Sequence, residues 1–143
     1  MKTLREIMST DCETVAPDQN IHQIAVMMEQ NNIGFVPVVK NDKLIGVVTD
    51  RDLAVRGYAA KRPGSAQAEE VMTKNIVTAT PDTTVDEAAK IMSQEMIRRL
   101  AVVENGSLVG IVAIGDLAIE NHYDHLASGA LSDISQHTDV PHH

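Results

Sequence analysis

The sequence predicts an α+β fold built from two similar halves that pack as one pseudo-twofold body, and three observations carry this prediction. First, a segment from Ile7 to Leu53 matches a later segment without a gap when Met8 is aligned with Met72, an offset of 64 residues. Second, each copy alternates β-branched runs with an amphipathic helical pattern in the order β-α-β-β-α. Third, one copy alone would bury little surface, so the two copies are expected to cover each other.

Identical residues recur at this offset along the whole repeat. They include Met8 and Met72, Thr14 and Thr78, Pro17 and Pro81, Asp18 and Asp82, Gly46 and Gly110, and Asp52 and Asp116. Because the matches run through strands, turns and helices alike, they indicate an internal duplication of a whole folding unit.

Each copy begins with an extended piece and an amphipathic helix. The extended pieces, Glu13 to Val15 and Ile76 to Ala79, end at Pro-Asp, a dipeptide that favours a turn. The helical patterns then place apolar residues at i, i+3, i+4 and i+7. These residues are Ile21, Ile24, Ala25 and Met28 in the first copy and Val85, Ala88, Ala89 and Met92 in the second. Asn20 with Gln23, and Thr84 with Glu87, are suited to cap the two helices.

Two strands and a closing helix complete each copy. The predicted strands are Phe35 to Val39 and Leu44 to Thr49, then Leu100 to Val103 and Leu108 to Val112, with polar hairpin loops between them. The closing helices begin near Asp50 and Asp116. The chain therefore divides into a first motif at 1–60, a connector at 61–70, a second motif at 71–127 and a tail at 128–143.

Composition excludes several classes of partner. The chain has 20 acidic residues against 12 Lys and Arg, a net charge of −8, and only 2% aromatic residues. Nucleic acid and anionic membranes both need a basic surface, so neither is expected as a partner. The single cysteine, Cys12, and the lack of a signal-like or long apolar segment indicate a cytoplasmic protein without a membrane span.

The junction of the second strand and the closing helix is the candidate site. From Leu44 to Leu53 a β-branched run breaks into Thr49 and three charged residues, which predicts a strand leading directly into a helix. Free N–H groups at a helix start, the Thr49 hydroxyl and the Asp52 carboxylate could hold a phosphate and a ribose. The same two residues could instead form a capping box without any ligand.

With the repeat and its two corners in view, the chain resembles proteins of the cystathionine-β-synthase (CBS) domain family, as a stand-alone pair of motifs often called a Bateman module. The resemblance covers Met1 to about Leu126. Its marks are Ile7-Met8 and Val71-Met72, the two Pro-Asp turns, the runs Ile33 to Val39 and Ile97 to Val103, and the corners Gly46 to Asp52 and Gly110 to Asp116.

The resemblance implies a regulatory module that binds an adenosine-containing molecule, such as AMP, ADP, ATP or S-adenosylmethionine, in a cleft between the motifs. It implies ribose at Asp52 and phosphate at Thr49. It further implies that Thr14, Val15 and Ala16 border the base, and that Ile33, Val36 and Pro37 form apolar walls.

The two copies differ where the resemblance places charged ligands. Family members similar to this chain use basic residues to reach phosphates held by the other motif, which implies that role for Arg98 and Arg99. Asp116 would face Gly34 and Phe35 instead, and Ala113 replaces the corner Thr beside it. We therefore expect one complete site and one vestigial or nucleoside-only site. Alternatively, Arg98 and Arg99 are a solvated surface pair or ion-pair partners of Glu95 and Glu104.

Other functions receive less support from the residues. No nucleophile with a base or pair of carboxylates is evident, so no catalysis and no required cofactor are expected. His122 and His125 could seat a metal at i and i+3, but exposed polar surface is the commoner role of such a pair, and no metal site is predicted. The alternative function is a ligand-free interaction module that acts through homo- or hetero-oligomerisation. For either function the resemblance implies a homodimer, and a separate protein partner could receive the signal. Candidate dimer contacts are Leu53, Ala54, Tyr58, Leu117 and Ala118.

Overall fold

The computed structural model describes residues 2–119, and its elements repeat in two halves that we define as residues 2–58 and 66–119. The first half contains α1 (Leu4–Ile7), α2 (Ile21–Asn31), β1 (Phe35–Lys40), β2 (Lys43–Thr49) and α3 (Asp50–Asp52), which continues into a π-helical segment (Leu53–Tyr58). The second half contains α4 (Ala68–Val71), β3 (Thr78–Ala79), α5 (Val85–Glu95), β4 (Arg99–Glu104) and β5 (Ser107–Ala113), followed by helical residues 114–119. The predicted α+β class is confirmed.

The strands pair in the same way in both halves. β1 and β2 form an antiparallel hairpin, and β4 and β5 form another whose register and bulge recur at the offset of 64. On the outer side of each hairpin lies a parallel partner, which is β3 in the second half but only a single bridge from Val15 to Val38 in the first. The first extended piece predicted from the sequence is therefore shorter than expected.

The two longer helices begin and end alike. Asn20 accepts a hydrogen bond from the Gln23 amide, and Thr84 forms a reciprocal capping box with Glu87. Both helices end at a residue in the left-handed conformation, Asn32 after α2 and Met96 after α5. Each helix thereby presents its apolar face to the sheet of its own half.

The halves are interlocked through their short first helices. Leu4 of α1 is fully buried in the core of the second half, and Ala68 and Val71 of α4 are buried in the core of the first. Backbone hydrogen bonds fix each short helix to the other half. Leu4 N–H donates to the Thr83 carbonyl (2.9 Å), and Ala68 N–H donates to the Gln19 carbonyl (2.8 Å). Each half therefore completes the core of the other, and the two form one body.

The motif bounds 1–60, 61–70 and 71–127 stay a prediction, and the tail at 128–143 lies outside the described residues. His122 and His125, the candidate metal pair, also lie outside the described residues. One predicted dimer contact is wrong in its exposure: Leu117 is 3% exposed and belongs to the second core. Of the helices between residues 2 and 119, none is long and apolar enough to cross a membrane.

Candidate functional site

A cavity of about 550 Å³ lies at the seam between the two halves. The first half contributes Gly34, Phe35, Val47, Thr49, Asp50 and Arg51 to its lining; the second contributes Thr73, Asn75, Ile76, Val77, Glu95, Met96, Ile97, Arg98, Arg99 and Ala101. The corner of the first half thus faces the strand edge of the second. The volume of the cavity is within the range of small-molecule sites, roughly 300–1,000 Å³.

The corner that borders this cavity is held by a capping box. Asp52 N–H donates to the Thr49 hydroxyl (3.1 Å), and Thr49 N–H donates to the Asp52 carboxylate (2.9 Å). Asp50 N–H donates to the Gly34 carbonyl (3.0 Å), which fixes the corner against the start of β1. The capping box that the sequence offered is therefore present in this structure. It holds Thr49 in one position on the cavity wall.

Asp52 also joins the two halves. The Thr73 hydroxyl lies 3.1 and 3.2 Å from the two carboxylate oxygens of Asp52, which is 8% exposed. Asp52 does not line the cavity, whereas Thr49 and Thr73, the two residues bonded to it, both do. Its carboxylate is thus hydrogen-bonded to two residues of the cavity wall, and a ligand role for Asp52 stays a prediction.

The charged residues of the cavity are of both signs. Arg51, Arg98 and Arg99 supply three positive charges, and Asp50 and Glu95 supply two negative ones, all on exposed side chains. Across residues 2–119, neither Arg98 nor Arg99 forms an ion pair with a carboxylate.

The alternative pairing of these arginines with Glu95 and Glu104 is therefore not formed within the described chain. Glu104 instead lies 3.4 Å from Arg5 of the other half. Among residues 2–119, the hydrogen bond from these guanidinium groups runs from Arg99 to the Arg98 carbonyl (3.3 Å), so most of their donors have no partner within that range.

The structure brings together Thr49, Arg98 and Arg99, but the remaining predicted wall does not border this cavity. The residues outside its lining are Thr14, Val15, Ala16, Ile33, Val36, Pro37 and Asp116. Ile97 and Ala101 take the places expected for Ile33 and Pro37, to which they correspond at the offset of 64. The apolar wall on the side opposite to the corner therefore comes from the second half.

Sequence reasoning missed Thr73, Asn75, Ile76, Val77 and Met96, which line the cavity on the second half. The segment that the resemblance places at the base, Thr14 to Ala16, corresponds at the offset of 64 to Thr78 to Thr80, which begins directly after Val77. The repeat offset therefore points next to this part of the wall but not to the residues that form it.

The residues that correspond to the cavity lining at the offset of 64 differ from it in two ways. One segment carries more acidic residues, and the corner lacks a hydroxyl. Ala113 N–H donates to Asp116 (3.3 Å), and no hydroxyl stands where Thr49 does in the first half. Asp11, Cys12 and Glu13 correspond to Asn75, Ile76 and Val77. Burial, together with the carboxylate of Asp11, raises the pKa of the Cys12 thiol. These positions offer an anionic ligand no cation equivalent to Arg98 or Arg99.

No group of three or more His, Cys, Asp or Glu side chains within residues 2–119 is arranged to hold a metal ion. His122 and His125 lie outside that range.

Two interlocked β-α-β-β-α halves with a small-molecule cavity at their seam define a paired-repeat module. The chain belongs to the CBS domain family, whose model matches residues 4–56 and 68–122. The predicted family and its tandem arrangement are thereby confirmed.

Known relatives cover almost the whole chain. The CBS domain-containing protein YhcV of Bacillus subtilis is 41% identical over 135 residues, which are 94% of this chain and 96% of that protein. The CBS domain pair of protein MJ0100, solved in complex with 5′-methylthioadenosine and S-adenosyl-L-methionine, is 29% identical with a TM-score of 0.76. That match covers 87% of this chain and 98% of the other.

Hypoxic Response Protein I, solved with two coordinated zinc ions, is 30% identical with a TM-score of 0.77. The match covers 84% of this chain and 99% of that one.

Proposed function

We propose that this chain is a non-catalytic regulatory module that binds one adenosine-containing ligand in the cavity between its halves. The observation that carries the proposal is the meeting, on one cavity, of the Thr49 corner with Arg98 and Arg99, which form no ion pair within residues 2–119. Supporting it, the structurally similar MJ0100 pair binds S-adenosyl-L-methionine and 5′-methylthioadenosine.

The apolar part of the lining suits a purine. Phe35 and Val47 of the first half, with Ile76, Ile97 and Ala101 of the second, provide apolar surface on both sides of the seam. A flat base can be held between such surfaces, while a few polar groups fix its orientation. Thr49, Thr73 and Asn75 are the neutral hydrogen-bonding side chains within the lining.

Asp52 can hold the ribose by an exchange of donors. In this structure its carboxylate accepts from the Thr73 hydroxyl. A ribose hydroxyl is an equivalent neutral donor, so replacing one by the other leaves the buried carboxylate bonded. Thr73 would then be free to turn its hydroxyl toward the ligand.

The cavity lining contains both positive and negative side chains. It therefore favours a ligand that has charges of both signs or few charges. The carboxylate of S-adenosylmethionine suits Arg98 and Arg99, and its sulfonium and ammonium groups suit Asp50 and Glu95. The triphosphate of ATP would meet those same two carboxylates. We therefore propose that S-adenosylmethionine and AMP bind more tightly than ATP.

The test is calorimetric titration of the full chain with S-adenosylmethionine, AMP, ATP and uncharged adenosine. Replacing Arg98 or Arg99 by Ala should weaken binding of the charged ligands by roughly 10- to 100-fold, since a charge-assisted hydrogen bond contributes roughly 1.5–3 kcal/mol. Adenosine should bind these variants as it binds the wild type. Arg62→Ala serves as a matched control, because Arg62 bonds Glu70 (3.1 Å) and does not line the cavity.

The second candidate function is a protein-interaction module. Tyr58, one of the predicted dimer contacts, is 88% exposed, and the apolar Val55 beside it is half exposed. Apolar surface of this kind suits a homodimer or a separate protein partner. If none of the adenosine compounds binds, the protein-interaction module is the better-supported function. Sedimentation tests it by comparing the oligomeric state of the wild type with that of Tyr58→Ser.

A further inference from the structure

Met96 occupies a backbone conformation that does not suit it. It ends α5 with φ 55° and ψ 43°, in the left-handed region. That conformation brings Cβ close to the backbone and is tolerated best by Gly, Asn and Asp. The corresponding residue of the first half, Asn32, has nearly the same angles, φ 53° and ψ 48°. The fold therefore requires this conformation twice and has the better-suited residue only once.

The Met96 side chain gains nothing from packing that would offset this cost. It is 90% exposed, the most exposed of the large apolar side chains among residues 2–119. Its backbone, in contrast, is fixed, because Met96 N–H donates to the carbonyls of Met92 and Ser93. An unfavourable residue held rigidly in place, with its apolar side chain in water, points to a role outside folding.

The position of Met96 indicates what that role is. Met96 lines the cavity at the seam, and so does Val77, whose side chain is also exposed (37%). Val77 lies just before β3, and Met96 lies between α5 and β4, so two separate loops of the second half bring apolar side chains to the cavity. Asn32 lies outside the lining of that cavity.

We propose that Met96, with Val77, covers the apolar face of the bound adenosine compound and so acts as a specificity residue for it. This inference rests on the proposed function. A methionine side chain is unbranched and flexible, and its sulfur packs favourably against the edge of an aromatic ring. It can therefore close over a purine after the ligand has entered, and thereby remove from water the apolar surface that it exposes in the free protein.

The test compares the two repeat-related positions. Met96→Asn should raise the unfolding temperature of the free protein by about 3 °C, because Asn suits the left-handed conformation. The same change should weaken binding of S-adenosylmethionine or AMP about fivefold, since the apolar cover is lost. Met96→Leu, which keeps an apolar side chain, should bind within about twofold of wild type.

The matched control is Asn32→Met, which should lower the unfolding temperature by a similar amount and leave affinity unchanged. The possible outcomes separate the two proposals. If wild type binds and Met96→Asn binds equally well, the role of Met96 is overturned and the proposed function stands. If wild type binds none of the four adenosine compounds, both are overturned. Equal loss of affinity in Met96→Leu and Met96→Asn would also overturn the role of an apolar cover.

Discussion

Removing the Asp52 carboxylate should destabilise the free protein far more than removing its repeat counterpart. Asp52 is 8% exposed, and it accepts hydrogen bonds from Thr49 N–H and from the Thr73 hydroxyl. Asp52→Ala breaks the capping box, worth about 1 kcal/mol, and leaves the Thr73 hydroxyl without a charged acceptor, worth roughly 1.5 kcal/mol. The expected loss is about 2.5 kcal/mol, or roughly 10 °C in the unfolding temperature of a chain this long.

The matched control for this prediction is Asp116→Ala. Asp116 is half-buried and accepts one bond, from Ala113 N–H at 3.3 Å, and the position related to Thr73 is Ser9, which forms no bond with it. Its removal should cost less than about 1 kcal/mol.

Urea denaturation of both variants without ligand, followed by circular dichroism, measures the difference. Similar losses for Asp52→Ala and Asp116→Ala would refute the reasoning, because the hydrogen bond from Thr73 to Asp52 would then contribute nothing to the free energy of unfolding. Thr73→Val should reproduce roughly half of the Asp52→Ala loss.

Two further predictions concern the capping box of Glu87 and a pair of glycines at corresponding positions of the two halves. Bonds from Thr84 hold the pKa of Glu87 below its ordinary value, so its stabilising effect is complete above about pH 4.3 and is lost as the pH falls through the folded-state pKa. Glu87→Gln should therefore be less stable than wild type at pH 7, and the difference should shrink as the pH falls through the folded-state pKa; a difference in unfolding temperature that stays constant with pH would contradict this. Gly46→Ala should cost about 1–3 kcal/mol in urea denaturation, because its Cβ would lie 2.7 Å from the Thr73 carbonyl oxygen. Gly110→Ala should cost less, since the atoms it meets belong to the flexible Met8 side chain, and equal costs would count against this account.

The repeat predicted most of the fold because each copy carries its own periodicity. α2 and α5 each run over three turns, so their apolar faces are visible in the sequence, and the hairpins have clear turn residues. The exchange of α1 and α4 could not be predicted in this way. Each of these helices has four residues, too few to show a helical period, and only the tertiary packing decides which core receives Leu4 or Val71.

The sequence predicts that residues of both halves meet at the site, but it does not indicate which apolar residues line the cavity. Arg98 and Arg99 were paired with the Thr49 corner across the pseudo-twofold, and the structure places all three on one cavity. The apolar walls predicted from the copy that contains the corner lie outside the lining, which instead includes Phe35 and Val47 of that copy and Ile97 and Ala101 of the other. Val36 is buried in the core of the first half, and the periodicity of one copy does not separate such core positions from cavity positions.

The proposed site also suggests how binding could be transmitted. The hydrogen bond from Thr73 to Asp52 joins the two halves directly behind the cavity, and both Thr73 and its neighbour Val47 are fixed by the backbone bridge between β2 and the second half. A ribose that takes over the Asp52 carboxylate would release the Thr73 side chain without breaking that bridge. The ligand would then change the side-chain contact between the halves while their backbones stay paired. Since a ligand shifts an equilibrium only through contacts that differ between two states, this bond is the element on which regulation would act.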